Sequence, residues 1–306
     1  MDNKPVYKDW KFWFKLIVGI IPLVAIVVFF FGGGAPLFND PAKYWSEVFT
    51  PDRVNDFQPD LIARVEGWSK SQNIGYWISR NLFMFTTIAN IMQSVFLINS
   101  AVHHRNEGLG KFDNWKTGII VVNAMWWVIL MYNVSLLFSG AISYMKWYNY
   151  VSWLCEHSVV PFLGIIYILF FYRKVDTDYN KKPAMFRFEQ MIYSLLPLII
   201  YFVVFESLGF ILKATDAMPI FGDMSSTGWW PYEFMDPTDT QTRIHKPLSN
   251  AAEQMALAYV GSLAEQVAFF WVFYGISRGN MKVQYKREGL KLPENIYTKT
   301  KKAVKD

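Results

Sequence analysis

Residues 13–32 read WFKLIVGIIPLVAIVVFFFG, twenty positions with Lys15 as the one charge. At 1.5 Å of rise per residue, a helix of that length spans a hydrocarbon core roughly 30 Å thick. The run does not alternate apolar with polar. In lipid only a helix or a closed barrel satisfies every backbone N–H and C=O, so the stretch is predicted to be a transmembrane helix. Five more blocks of this kind follow: Trp77–Ser100, Thr117–Ser139, Tyr150–Tyr172, Phe188–Leu212 and Ala252–Ser277. The predicted fold is all-α, a polytopic membrane domain over 1–277 with six transmembrane helices. Long outer loops lie at about 33–76 and 213–251, and a basic tail covers 278–306.

The composition agrees. Of 306 residues 53% are hydrophobic, which excludes a disordered or collagen-like chain, and one cysteine excludes a disulfide scaffold. A net charge of +5 would hint at nucleic acid only if the basic residues were unsorted. They are sorted. With the amino terminus in the cytoplasm, the inner segments 1–16, 101–116, 173–187 and 278–306 hold 4, 3, 5 and 9 Lys plus Arg, which is 21 of 30. The positive-inside rule therefore predicts a multi-pass protein of the cell membrane with both termini cytoplasmic, and no nucleic-acid partner. The first block follows Lys4, Lys8, Lys11 and Lys15 like a signal peptide, but it is long for one. Ala35 is followed by Pro36, a poor cleavage context, so the block reads as an uncleaved span. The tail, with Lys286, Arg287 and Lys291 among its cations, suits anionic headgroups or plain solvation.

Phosphate loops, GxGxxG, HExxH and paired CxxC are absent, so no cofactor and no metal is expected. His103 and His104 are adjacent in a basic loop, and His245 has no evident partner.

Function is sought in polar residues inside the spans, since ionisable groups there are costly and usually functional. Thr86, Thr87 and Asn90 in the second span, Asn133 in the third, and Cys155, Glu156 and His157 in the fourth fall in the outer half. Glu206 in the fifth lies there too, and Glu253 and Glu265 in the sixth bracket that depth. Bland roles stand beside each: a threonine bonding the carbonyl one turn back, asparagines as interhelical glue, Cys155 as an inert apolar residue.

Three short motifs occur in order: Phe85-Thr86-Thr87-Ile88-Ala89-Asn90, Glu156-His157-Ser158-Val159-Val160-Pro161-Phe162, and Trp230-Pro231-Tyr232-Glu233-Phe234-Met235-Asp236. Together they resemble the androgen-induced / androgen-dependent TFPI-regulating protein family of six-span membrane proteins and its bacterial relatives. The resemblance covers spans two to six. It implies an intramembrane hydrolase of fatty acid esters of hydroxy fatty acids, with a Thr nucleophile and His157 as base. The nucleophile is Thr87 if the threonine-to-asparagine spacing is three, as in animal members, and Thr86 if it is four, as in bacterial ones. Glu233 stands where the family usually has a second proline, and the histidine-to-proline spacing of four matches the bacterial form. The first outer loop has no counterpart in the family pattern. Related six-span acyltransferases pair a Cys with a His, which makes Cys155 the second-choice nucleophile. Residues two apart on one helix point about 200° apart, which disfavours a direct Cys155–His157 pair.

Thr is a weak nucleophile and needs a base within hydrogen-bond reach. Glu156, Glu206 or Glu265 could orient the imidazole, and Asn90 could bond the oxyanion. The expected partners are membrane lipids, with a fatty acyl ester as substrate. The alternative is a non-enzymatic membrane subunit or small-molecule transporter, in which the same residues bind substrate or a partner helix. Pro22, Pro161 and Pro197 lack the paired symmetry of broken transporter helices.

Overall fold

A computed structural model of the chain describes residues 5–50, 59–110, 112–139, 145–174, 187–222, 227–238 and 251–290. Among these every regular element is helical. The helices are α1 (Trp10–Asn39), α2 (Pro41–Val48), α3 (Pro59–Glu66), α4 (Lys70–Leu82), α5 (Phe85–Val102), α6 (Trp115–Ser139), α7 (Trp147–Ser152), α8 (Val159–Ile166), α9 (Arg187–Ala214) and α10 (Ala251–Arg287). Six helical segments are long and apolar enough to cross a membrane, the fourth being the composite Trp147–Phe171. Lys11 Nζ donates to Phe171 O at 3.1 Å and Arg173 pairs with Glu288 at 3.3 Å. The start of α1, the end of the fourth span and the end of α10 therefore share one face of the bundle, here the terminal face. The other is the loop face.

Two expected spans are interrupted. The second breaks at Phe83 and Met84, between α4 and α5. Ser79 Oγ and Asn81 Nδ2 bond carbonyls four residues back, at 3.0 and 2.7 Å, the local competition that weakens a helix end. The fourth span passes from α7 into a π-helical turn over Trp153–His157, then through Ser158 at φ −138°, ψ −87°, before α8 begins. Pro161 explains the break. It has no N–H for the carbonyl four residues back, which is that of His157.

α1 packs along α5 and, near its end, against α4. Gly33 and Gly34 permit this close approach, because a Cβ on Gly33 would lie 2.9 Å from the Trp77 ring and one on Gly34 2.5 Å from its Nε1. The indole N–H donates instead to Phe30 O at 2.8 Å. The first long loop, unmatched at the level of sequence, contributes to a small separate core. Leu37, Trp45, Val48, Leu61, Val65, Tyr76 and Trp77 are buried together on the loop face. A capping box between Ser69 and Gln72 starts α4 beneath them.

The described part of the second long loop folds inward. Phe221, Trp230 and Met235 join the main core, and Trp230 lies on Gly209 of α9. α10 runs past Ser277 to Arg287, so the expected tail begins as helix; its 37 residues reach about 55 Å. Met281 and Tyr285 in that extension are buried in the main core. His245, Lys291 and the remaining tail residues lie outside the described segments.

Candidate functional site

The two breaks face each other. Asn90, one turn below the start of α5, donates through Nδ2 to Thr86 O and to Glu156 O, both at 2.9 Å. Asn133 of α6 donates to Ile129 O at 2.7 Å and His157 O at 3.0 Å, while its Oδ1 accepts from Trp153 Nε1 at 2.9 Å and Ser158 Oγ at 3.0 Å. The His157 carbonyl, which Pro161 leaves without its helical donor, and the Glu156 carbonyl before it thus each receive a side-chain amide. Unpaired, each would carry a desolvation cost of about 1–3 kcal/mol.

The start of α5 has no side-chain cap of its own. Tyr232, arriving from the second long loop, accepts from Phe85 N–H at 3.2 Å. Tyr201 of α9 donates to Phe83 O at 2.9 Å. Burial pushes the Tyr232 phenol up to about 12, opposed by hydrogen bonding from Phe85 and Thr86. Thr86 therefore lies beside the Tyr232 hydroxyl. Thr87 is buried and its hydroxyl donates a hydrogen bond to Asn81 O across the break at 2.5 Å.

His157 is buried with its ring stacked on Tyr132, centroids 3.5 Å apart and planes 19° apart. Its Nδ1 is buried without a hydrogen-bond partner. No hydrogen bond joins His157 to Thr86 or Thr87 among the described residues. Glu156 is buried beside it in the same turn, with Oε1 unpartnered. Cys155 is a half-buried free thiol.

The other two expected carboxylates lie on α9 and α10. Glu206 of α9 accepts from Tyr259 of α10 at 2.5 Å. Both Glu265 oxygens are buried without a partner. Its neighbour Gln266 exchanges two 2.8 Å hydrogen bonds with Asn123 of α6. Among the described residues no hydrogen bond joins either carboxylate to His157, whose imidazole stacks on Tyr132 of α6.

A second polar cluster, absent from the sequence-based expectations, lies near the terminal face. Lys15 Nζ donates to Ser100 O at 2.6 Å and pairs with Glu107 at 3.3 Å, and Tyr167 donates to Glu107 at 2.7 Å. Asp113 accepts from Ser100 Oγ at 2.5 Å and from the Tyr172 hydroxyl. Lys174 Nζ donates to the carbonyls of Ile168, Leu169 and Tyr172 at 2.8, 3.0 and 3.2 Å, saturating the end of the fourth span where a cation suits the helix dipole. Burial pushes Lys174 down to about 7, with the Glu107 charge opposing, and burial raises Glu107 against the pull of Lys15. Only Lys15 offered a signal in the sequence, as a charge inside an apolar run. The others sit in short polar loops where charge is ordinary.

Among the described residues no group of three His, Cys, Asp or Glu is placed to hold a metal ion. No protein-family model, curated protein or solved structure matches the chain.

Proposed function

We propose that the protein is an intramembrane hydrolase of fatty acyl esters, with Thr86 as nucleophile and His157 as base. The observation that carries this reading is the Asn90 bridge, which holds the Thr86 carbonyl and the carbonyl preceding His157 on one amide group. It seats the start of α5 against the turn that bears an imidazole with an uncommitted Nδ1. Thr86 is favoured over Thr87 because the Thr87 hydroxyl is engaged by Asn81 O.

In the proposed reaction the Thr86 hydroxyl proton passes to His157 as Oγ1 attacks the ester carbonyl carbon. The C–O bond to the alcohol breaks, the alcohol leaves with the proton from His157, and water then hydrolyses the acyl-threonine with the same base. Tyr232 would give its hydroxyl proton as a hydrogen bond to the oxyanion. The imidazole must turn from Tyr132 toward Thr86 when an ester enters, and catalytic hydrogen bonds often tighten only with substrate bound. The topology proposed with this activity is a plasma-membrane protein with both termini cytoplasmic, which places the site in the outer leaflet half.

Turnover of a long-chain fatty acyl ester by the purified protein tests the reading. Thr86→Ala and His157→Ala are expected to slow it by about 100-fold or more, and Thr87→Ala to leave it within severalfold. Equal rates in all three variants and the wild type would remove the site.

A second reading draws on the same two asparagines. Amides that cap broken-helix carbonyls also lock a bundle or line a binding site, as in a non-enzymatic subunit or a transporter. Absence of turnover in the wild type, with substrate still bound, would favour it.

A further inference from the structure

α5 and α9 both pack on α6. Between them runs a groove of about 570 Å³, floored by Ile88, Met92 and Ile120 and walled by Leu196, Ile200 and Tyr201. Pro197 lies in its wall, where its missing N–H and ring bend a helix. The volume falls within the range of about 300–1,000 Å³ usual for small-molecule sites. The groove follows α9 from Tyr193 to Phe205, about 18 Å of helix, and apart from the two tyrosine hydroxyls its lining is apolar.

Location fixes what can enter. Tyr193, Ile200 and Val204 on the rim are exposed within a membrane-spanning helix, so the medium at the opening is hydrocarbon. One end is not ordinary lipid-facing surface. Tyr201 closes it, bonding Phe83 O through its hydroxyl and meeting the Phe85 ring edge-on at 5.2 Å. Through Tyr201 and Phe205 this end of the groove adjoins Phe83 and Phe85 at the α4–α5 break.

We propose that this groove seats one fatty acyl chain, with its methyl end toward Tyr193 and Ile120 and its carbonyl end at the break, and that Ile88 and Met92 set the width it accepts. The assignment rests on the ester-hydrolase reading for the orientation of the chain. The occupant is a single hydrocarbon chain because the space is elongated and apolar and is entered from hydrocarbon.

The test is photolabelling of the full-length protein in nanodiscs with a palmitoyl ester carrying a diazirine near the methyl end, followed by peptide mapping. Label is expected to concentrate on the α5 and α9 peptides around Met92 and Tyr193. Ile88→Trp and Met92→Trp, which fill the groove, should lower it at least tenfold. Val260→Trp, on an exposed face of α10, should not change it. Uniform labelling of all lipid-facing helices in the wild type would overturn the proposal whether or not the tryptophan variants fold. So would unchanged labelling in both folded variants. His157→Ala separates the two claims. Groove labelling with undiminished turnover in Thr86→Ala and His157→Ala would sink the hydrolase and leave the seat. Lost turnover with uniform labelling would do the reverse.

Discussion

The side-chain amide of Asn133 donates to the carbonyl of His157 at 3.0 Å, the carbonyl that Pro161 leaves without its helical partner. A proline four residues after the histidine and an asparagine one span earlier thus form one structural unit. The proline opens the helix and the asparagine makes the opening tolerable in an apolar surrounding, where an unpaired carbonyl is costly.

That unit predicts a thermodynamic coupling. Asn133→Ala should destabilise the protein by about 1–3 kcal/mol, measured as a shift in the unfolding midpoint in detergent. In a Pro161→Ala background the restored N–H at 161 can reach His157 O, and the same substitution should cost less. Equal costs in the two backgrounds would mean the amide does not replace the proline's missing donor.

Tyr232 and Tyr201 hold opposite sides of the α4–α5 break. Tyr232→Phe removes the acceptor for Phe85 N–H and is expected to cost about 0.5–1.5 kcal/mol of stability and to slow ester turnover. Tyr201→Phe should cost similar stability through Phe83 O with a smaller effect on rate. Parallel losses of rate in both would argue that each tyrosine only supports the break.

Contact between α1 and α4 depends on a missing side chain. Gly34→Ala puts a methyl against the Trp77 indole N–H and should cost about 1–3 kcal/mol, accompanied by a change in tryptophan emission. Trp77→Phe loses the hydrogen bond to Phe30 O but relieves the crowding, so the pair of substitutions should cost less than their sum. Simple additivity would place the clash elsewhere.

The terminal-face cluster predicts a pH response. Lys174 titrates near 7 in the fold against 10.5 when unfolded, so between these values the unfolded chain holds more protons. Stability should therefore rise as pH increases through that window. Glu107, raised by burial, acts in the opposite sense at lower pH, since its folded form keeps a proton that the unfolded form has released. Lys174→Met should flatten the midpoint between pH 7 and 10. A rise of the same size in that variant would assign the response to another group.

The six spans were legible in the sequence because a membrane imposes one requirement on every backbone group, and uninterrupted apolar length records it. Thr86, Asn90 and His157 were visible too, as polar exceptions inside the spans. The sequence did not reveal that the second and fourth spans break, because hydropathy counts residues and is blind to where an N–H loses its carbonyl. Pro161 was visible, but its consequence depended on Asn133, 28 positions earlier. The pairing of Glu206 with Tyr259 was equally hidden, since equal depth says nothing about which seam of a bundle a helix face meets. Lys15, Glu107 and Lys174 lie far apart along the chain and become one network only when α1 meets the loop after α5 and the end of the fourth span. What the sequence alone determined was that the chain crosses a membrane and roughly where. Which polar groups share a site was decided by tertiary packing, because Asn90, Asn133 and Lys15 each reach a carbonyl on a different helix.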